Sequence, residues 1–201
     1  MTFFLQAFVT LFVIIDPPGI VPLFIGLTRG RSVRTKRRLA VQAAVVAFGV
    51  IVGFALFGRA ILTYTQVQLP ALEGAGGLLL LLVSLQLLTG KTEEPTSSER
   101  AKTNVAFVPL GTPLLAGPGA IVATMLYVQR VHSPLNVVAL ALAIAAVAVA
   151  AWLSMRFAEA IHRVLTDNGV ELLTRIAGLL LSAIAVQLIA QSALAFAAQA
   201  K

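Results

Sequence analysis

Charge is absent from this chain in long unbroken runs. Residues 39–58, 74–90, 103–129, 133–155 and 176–200 carry no Asp, Glu, Lys or Arg, and residues 2–28 carry only Asp16. A helix needs about 20 mainly apolar residues to cross the hydrocarbon core of a bilayer. Within lipid every backbone polar group must find a partner, which leaves helices or a closed barrel. These runs are too long and too rich in Leu and Ala for barrel strands. The expectation is an all-helical bundle of six spans near 3–28, 39–62, 71–90, 104–129, 134–157 and 174–198. Composition agrees: the 201 residues are 59% hydrophobic and 11% charged, against about 25% charged in a soluble domain. That excludes a soluble enzyme, a disordered chain and a disulfide-stapled scaffold. There is no cysteine, and only His132 and His162 are present, so thiol chemistry, thiolate metal sites and a histidine cage are excluded. The first segment has no basic residue before its apolar stretch and no clear small-residue cleavage site, so it reads as a span rather than a signal peptide.

Lys and Arg counts give the orientation. Arg29, Arg31, Arg34, Lys36, Arg37 and Arg38 fall in the loop at 29–38. Lys91, Arg100 and Lys102 follow at 91–103, and Arg156, Arg163 and Arg175 at 156–175. Only Arg59, Arg130 and Lys201 lie on the other side. The basic loops therefore face the cytoplasm and both termini face outward. The cluster at 29–38 reads as a topology signal resting on anionic lipid, not as a nucleic-acid patch. Glu73 and Arg59 stand near the outward ends of adjacent spans, where a surface ion pair is expected.

The chain also repeats itself. Pro18-Gly19 recurs as Pro118-Gly119, and Phe57, Ala60 and Ile61 recur as Phe157, Ala160 and Ile161, each 100 residues on. Gly77 and Gln86 recur as Gly178 and Gln187, 101 residues on. Two repeats of three spans follow: 1–90 and 104–201, joined by the polar cytoplasmic linker 91–103. An odd number of spans inverts the second repeat in the membrane, an architecture of many secondary transporters.

Six of the nine prolines lie in the first and fourth spans: Pro17, Pro18, Pro22, Pro109, Pro113 and Pro118. Proline inside a helix removes a hydrogen bond and clashes with the preceding turn. The first span is therefore expected to break at 16–19, within Asp16-Pro17-Pro18-Gly19, and the fourth at 116–119, within Gly117-Pro118-Gly119. Breaks at membrane depth are tolerated where the backbone is buried in protein or lines a cavity. Each exposes N–H groups that suit an anion and carbonyls that suit a cation. Asp16 is the one ionisable group deep in a span, a placement that marks a polar pathway or a partner. It also fits a helix N-cap with Pro17 at N1. Gln86 and Gln187, mid-span in the third helix of each repeat, suit a substrate or a neighbouring helix equally. Gly49-x-x-x-Gly53 suits close helix packing.

The two broken segments, DPPGIVPLFIGLT (Asp16–Thr28) and PLGTPLLAGPGAI (Pro109–Ile121), resemble the signatures of the MarC family of six-span membrane proteins, also called the neutral amino acid transporter family. The resemblance extends over nearly the whole chain. Asp16, Pro17, Gly19 and Pro22 match the family's Asp-Pro-x-Gly-Asn-x-Pro, with Ile20 in place of the usual Asn. It implies an inner or plasma membrane carrier of small neutral amino acids.

The expected activity is alternating-access transport. The substrate carboxylate would meet backbone N–H groups near Gly19 and Gly119, and its ammonium or a coupling ion would meet Asp16. A passive channel and a membrane assembly protein without substrate are the alternatives. Proton and sodium coupling both stay open, as does homo-oligomerisation. No cofactor, metal or nucleic acid is expected. With no Ser/His pair, zinc motif or buried carboxylate pair, neither is an enzyme.

Overall fold

The computed structural model describes residues 2–89 and 116–199. The linker 91–103 and the start of the fourth span, with Pro109 and Pro113, lie outside the described residues. Among those residues the chain forms seven helices and no strand. They are α1 (Thr2–Ile15), α2 (Ile20–Leu27), α3 (Val33–Thr65), α4 (Leu69–Thr89), α5 (Pro118–Gln129), α6 (Pro134–Arg156) and α7 (Ala158–Gln199). Four segments are long and apolar enough to span a bilayer: α3, α4, α6 and residues 168–199 of α7. The pair α1 and α2, bent by 45° at its break, makes a fifth.

Large apolar side chains stand exposed all around the bundle, among them Leu56 (70%), Leu142 (57%) and Leu194 (72%). Water would penalise each by about 1.5–3 kcal/mol, whereas lipid tails accept them. Inside, alanines let the helices approach closely. Ala40, Ala43, Ala44 and Ala47 of α3 and Ala143, Val147 and Ala151 of α6 are buried with Ala7, Leu11, Val21 and Phe24. A second core joins Val13 of α1, Leu80 of α4, Val122 and Leu126 of α5, and Leu181, Ala185 and Leu188 of α7.

The contact between α4 and α7 is the most extensive in the bundle. It depends on missing side chains. A Cβ on Gly77 would stand 2.8 Å from the Ala185 carbonyl oxygen and 3.1 Å from the Ile189 nitrogen. A Cβ on Gly178 would stand 3.2 Å from the Ser84 carbonyl oxygen and 3.1 Å from the Leu87 Cβ. Gly76 is filled in the same way by Val122 of α5. By contrast, nothing lies within 4 Å of a Cβ on Gly49 or Gly53. The glycine pair expected to pack helices in α3 therefore faces open space.

Two further sequence expectations change. Residues 156–175, read as a connection, are largely helical, because α7 begins at Ala158 and is interrupted only at Thr166 (φ 56°, ψ 173°). The charges Glu159 and Arg163 suggested a loop, but Ala158 is buried and Ile161 packs on the core from the same face. The Arg59–Glu73 pair does not form. Arg59 instead donates to the carbonyl oxygen of Val128 at 2.6 Å, at the end of α5, where helix carbonyls lack intrahelical partners.

Four of the six basic residues of the first loop, Arg34, Lys36, Arg37 and Arg38, enter α3, which starts at Val33 after the N-cap Ser32, whose hydroxyl accepts from the Thr35 N–H. Cations at a helix N-terminus oppose its dipole. Glu159 offsets one of them, its carboxylate taking the Lys36 ammonium at 2.6 Å. The hydrogen bond and charge of Lys36 lower the Glu159 pKa.

Two predictions follow from this packing. Gly77→Ala should destabilise the protein by about 1–3 kcal/mol through overpacking, whereas Gly49→Ala and Gly53→Ala should be neutral or stabilising, since Ala exceeds Gly in helix propensity by roughly 1 kcal/mol. Thermal unfolding in detergent compares them, and equal losses at all three positions would contradict the packing. A carboxylate with a lowered folded pKa gives stability that is present above its unfolded pKa and is lost as pH falls through the folded one. Part of the acid sensitivity should therefore vanish in Glu159→Gln, read as the change in melting temperature between neutral and acidic pH.

Candidate functional site

The first break is built around Asp16. Its N–H closes the last turn of α1 on the Phe12 carbonyl at 2.9 Å, and its own carbonyl accepts the Ile20 N–H at 3.2 Å to open α2. Pro17 and Pro18, lacking N–H groups, fill the gap between the two ladders. Asp16 adopts φ 46°, a left-handed conformation that Asp tolerates better than most residues. The N-cap of α2 is Gly19, not Asp16. The Asp16 carboxylate nonetheless faces the Gly19 N–H three residues on, the donor an N-cap side chain at Asp16 would meet.

The carboxylate turns into the protein. Asp16 is 7% exposed, and its carboxylate faces the Gly19 N–H and the Thr174 hydroxyl of α7. Oδ2 is buried, and neither of these nearby donors is aligned to make a hydrogen bond to it. Gly19 is required by this fold-back: a Cβ there would collide with the carboxylate and stand 2.9 Å from Thr174 Oγ1. Pro17 is fully buried. A buried carboxylate oxygen without a donor is costly, and a proton, a metal cation or an ammonium would each satisfy it.

At the second expected break the described residues resume at Ala116 and show the start of α5. Gly117 is the N-cap (φ −61°, ψ 166°), no side chain caps the helix, and Pro118 occupies its first turn. The Ile121 N–H bonds the Gly117 carbonyl at 3.2 Å, so the donors of this terminus without a partner among the described residues belong to Gly119 and Ala120. Ala116 stands at the position equivalent to Asp16 and is buried; only the first break carries a carboxylate. The two breaks approach each other through Ile14. A Cβ on Gly119 would sit 3.3 Å from Ile14 Cγ2 and would collide with Leu80.

Ile14 and Leu80 also form part of the wall of a cleft of about 550 Å³ between α1, α5 and α7. Its polar lining is Gln6, Thr10, Tyr127, Arg130, Gln187 and Gln191. Thr10 Oγ1 and the Tyr127 hydroxyl are hydrogen-bonded at 2.9 Å, tying α1 to α5. Gln187 thus lines the cleft, whereas Gln86 lies on the exposed outer face of α4 beside Leu82 and Leu85. The structure gathers Asp16, Pro17, Pro18 and Gly19 at one break and Gly117, Pro118 and Gly119 at the other. It sets Gln86 apart from both.

Sequence reasoning passed over Thr174, Tyr127, Arg130, Thr10, Gln6 and Gln191. A signal for some was present: Gln6 and Thr10, and Gln187 and Gln191, are polar pairs four residues apart on one helical face. Thr174 carries no such signal, since only the fold brings α7 to the break.

Comparison with known proteins places the whole chain. The description "MarC family integral membrane protein" attaches to the family that matches residues 1–196. A UPF0056 membrane protein of Methanocaldococcus jannaschii is 35% identical over 194 residues, covering 94% of this chain and 95% of that protein. The UPF0056 membrane protein YhcE of Escherichia coli is 33% identical, covering 92% and 89%. YvbG of Bacillus subtilis, another UPF0056 membrane protein, is 30% identical, covering 94% and 86%. No solved structure matches. With its helical bundle, its apolar spans and this match over nearly its full length, the chain belongs to the MarC family of integral membrane proteins.

Proposed function

We propose that this protein is a secondary transporter of small neutral amino acids or similar metabolites, working by alternating access. The observation that carries the reading is the buried Asp16 Oδ2, to which no hydrogen bond is made, at a helix break that lies beside the start of α5, where no described side chain caps the helix. In this reading Asp16, with Thr174, takes the coupling cation or the substrate ammonium. The N–H groups of Gly119 and Ala120 offer a site for a carboxylate. Ile14 and Leu80 close the floor of the cleft in this conformation, which favours a carrier over an open pore.

The packing supports an inverted repeat. Exchanging the two halves turns α2 into α5, α3 into α6 and α4 into α7. The contact of α2 with α7 then becomes that of α5 with α4, and α2 with α6 becomes α5 with α3; α3–α6 and α4–α7 map onto themselves. The glycine contacts obey the same exchange. Gly77 meets the carbonyl of Ala185 and Gly178 that of Ser84, each pair being related by an offset of 101. Two halves of this kind can rock about a shared site. The Lys and Arg distribution supports basic loops on the cytoplasmic side and both termini outside. The mechanism requires no bond-making chemistry, so the protein is read as a carrier and not an enzyme.

Uptake of labelled glycine and alanine into proteoliposomes, with an imposed proton or sodium gradient, tests the reading. Gradient-driven uptake should fall to background in Asp16→Asn, with the protein still folded by thermal unfolding; unchanged uptake would remove Asp16 from the mechanism. Thr174→Ala should weaken the apparent affinity for the coupling ion roughly tenfold, about 1.4 kcal/mol, as expected for one hydrogen bond to a charged group. Thr174→Ser should restore it. Equal affinities in all three proteins would exclude Thr174.

A further inference from the structure

We propose that the cleft between α1, α5 and α7 is a water-filled vestibule, open at the end of the bundle that holds the start of α1, that receives the carboxylate group of small solutes on Arg130. The inference deepens the transport reading by giving the substrate its point of entry.

The lining is the first argument. Along α1, the residues facing the cleft include Gln6 and Thr10 before the series ends at Ile14; along α7 they include Gln191, Gln187 and Ile184. In both series the polar side chains, interleaved with Leu5, Val9 and Leu188, stop one turn short of the apolar Ile14 and Ile184. A cleft facing lipid tails would gain nothing from three glutamines and a hydrogen-bonded Tyr–Thr pair, because polar groups left to hydrocarbon are costly. Water satisfies them.

The second argument is charge. Among the described residues Arg130 is the one cation of the lining, and no described Asp or Glu lines the cleft. Among the described residues the ion pairs are Lys36–Glu159 and Arg175–Glu171, and Arg130 takes part in neither. Its guanidinium lies 6.0 Å from the centre of the Tyr127 ring, and that ring is held in turn by the Thr10 hydroxyl. A guanidinium stacked on an aromatic face keeps its N–H fork available, and the fork matches a carboxylate with two parallel bonds. The amide groups of Gln6 and Gln191 supply acceptors for an ammonium on the same solute and discriminate little between small side chains. The cleft therefore fits a small zwitterion bound carboxylate-first. It disfavours a bare cation.

The chain is naturally free of cysteine, so single-cysteine reporters can be placed in the otherwise native protein. The test uses Gln187→Cys, with Leu142→Cys on the exposed apolar face of α6 as control, both as full-length protein in sealed vesicles. A membrane-impermeant thiosulfonate should label the thiol of Gln187→Cys from the side of the α1 terminus and leave that of Leu142→Cys unlabelled. Glycine at ten times its dissociation constant should slow labelling of Gln187→Cys roughly tenfold by occupancy. Adding Arg130→Gln should abolish that protection while leaving the unliganded labelling rate unchanged, which shows the cleft still folded; Arg130→Lys should retain part of it. Failure to label Gln187→Cys, or protection that survives Arg130→Gln, overturns the proposal. Labelling and protection require no translocation, so a vestibule that binds glycine in a protein that moves none would refute the transport reading and leave this one standing.

Discussion

A break in a helix inside a membrane leaves backbone donors and acceptors that hydrocarbon cannot satisfy. That constraint organises this protein. The interruption at Asp16–Gly19 is tolerated because Pro17 and Asp16 are buried and because α7 supplies Thr174 at the break. The start of α5 is accommodated because Gly119 lies against Ile14 of α1 and Leu80 of α4, with Ala116 and Ala120 also buried. The remaining helices enclose these two points. α4 and α7 approach to backbone contact at Gly77 and Gly178, which draws Leu80 and Leu181 into one core with Val13 and Val122. The glycines are therefore part of the site even though none but Gly19 touches the carboxylate.

Charge is distributed by the same logic. Basic residues collect at the end of the bundle near the start of α3, where they work against the dipole of that helix, and Ser32 and Glu159 offset part of the cost. The single carboxylate of the broken first span sits where no described lysine or arginine reaches it. Arg130, at the opposite end, has an aromatic face and no acidic partner among the described residues. Two unpaired charges of opposite sign, at different depths along one bundle, suit a solute that carries both signs.

Much of this was legible in the residues themselves. The charge-free runs identified a helical membrane bundle, because an apolar run of that length has few other solutions, and Pro17 and Pro18 marked a helix interruption and Pro118 a helix start, because proline cannot donate. What escaped was whatever depends on three-dimensional proximity. Gly49 and Gly53 have the spacing of a packing motif yet face open space, whereas Gly77, with no such motif, is pressed against a backbone carbonyl. Spacing says which residues share a face but not which face is covered. Thr174 and Tyr127 come to the site only through the fold. Residues 158–165 were hidden by Glu159 and Arg163, whose charges masked an apolar face that the bundle uses. Gln86 and Gln187 look equivalent in sequence, but only Gln187 turns toward the cleft.

The central claim is that one small solute at a time occupies a site between the two breaks, reached alternately from each side. Counterflow by the wild-type protein tests it most directly. Proteoliposomes loaded with unlabelled glycine, with no ion gradient imposed, are diluted into a trace of labelled glycine. The account predicts transient accumulation of label above its external concentration, driven by exchange on a shared site. Simple equilibration of the label, at a rate indifferent to the glycine inside, would contradict it.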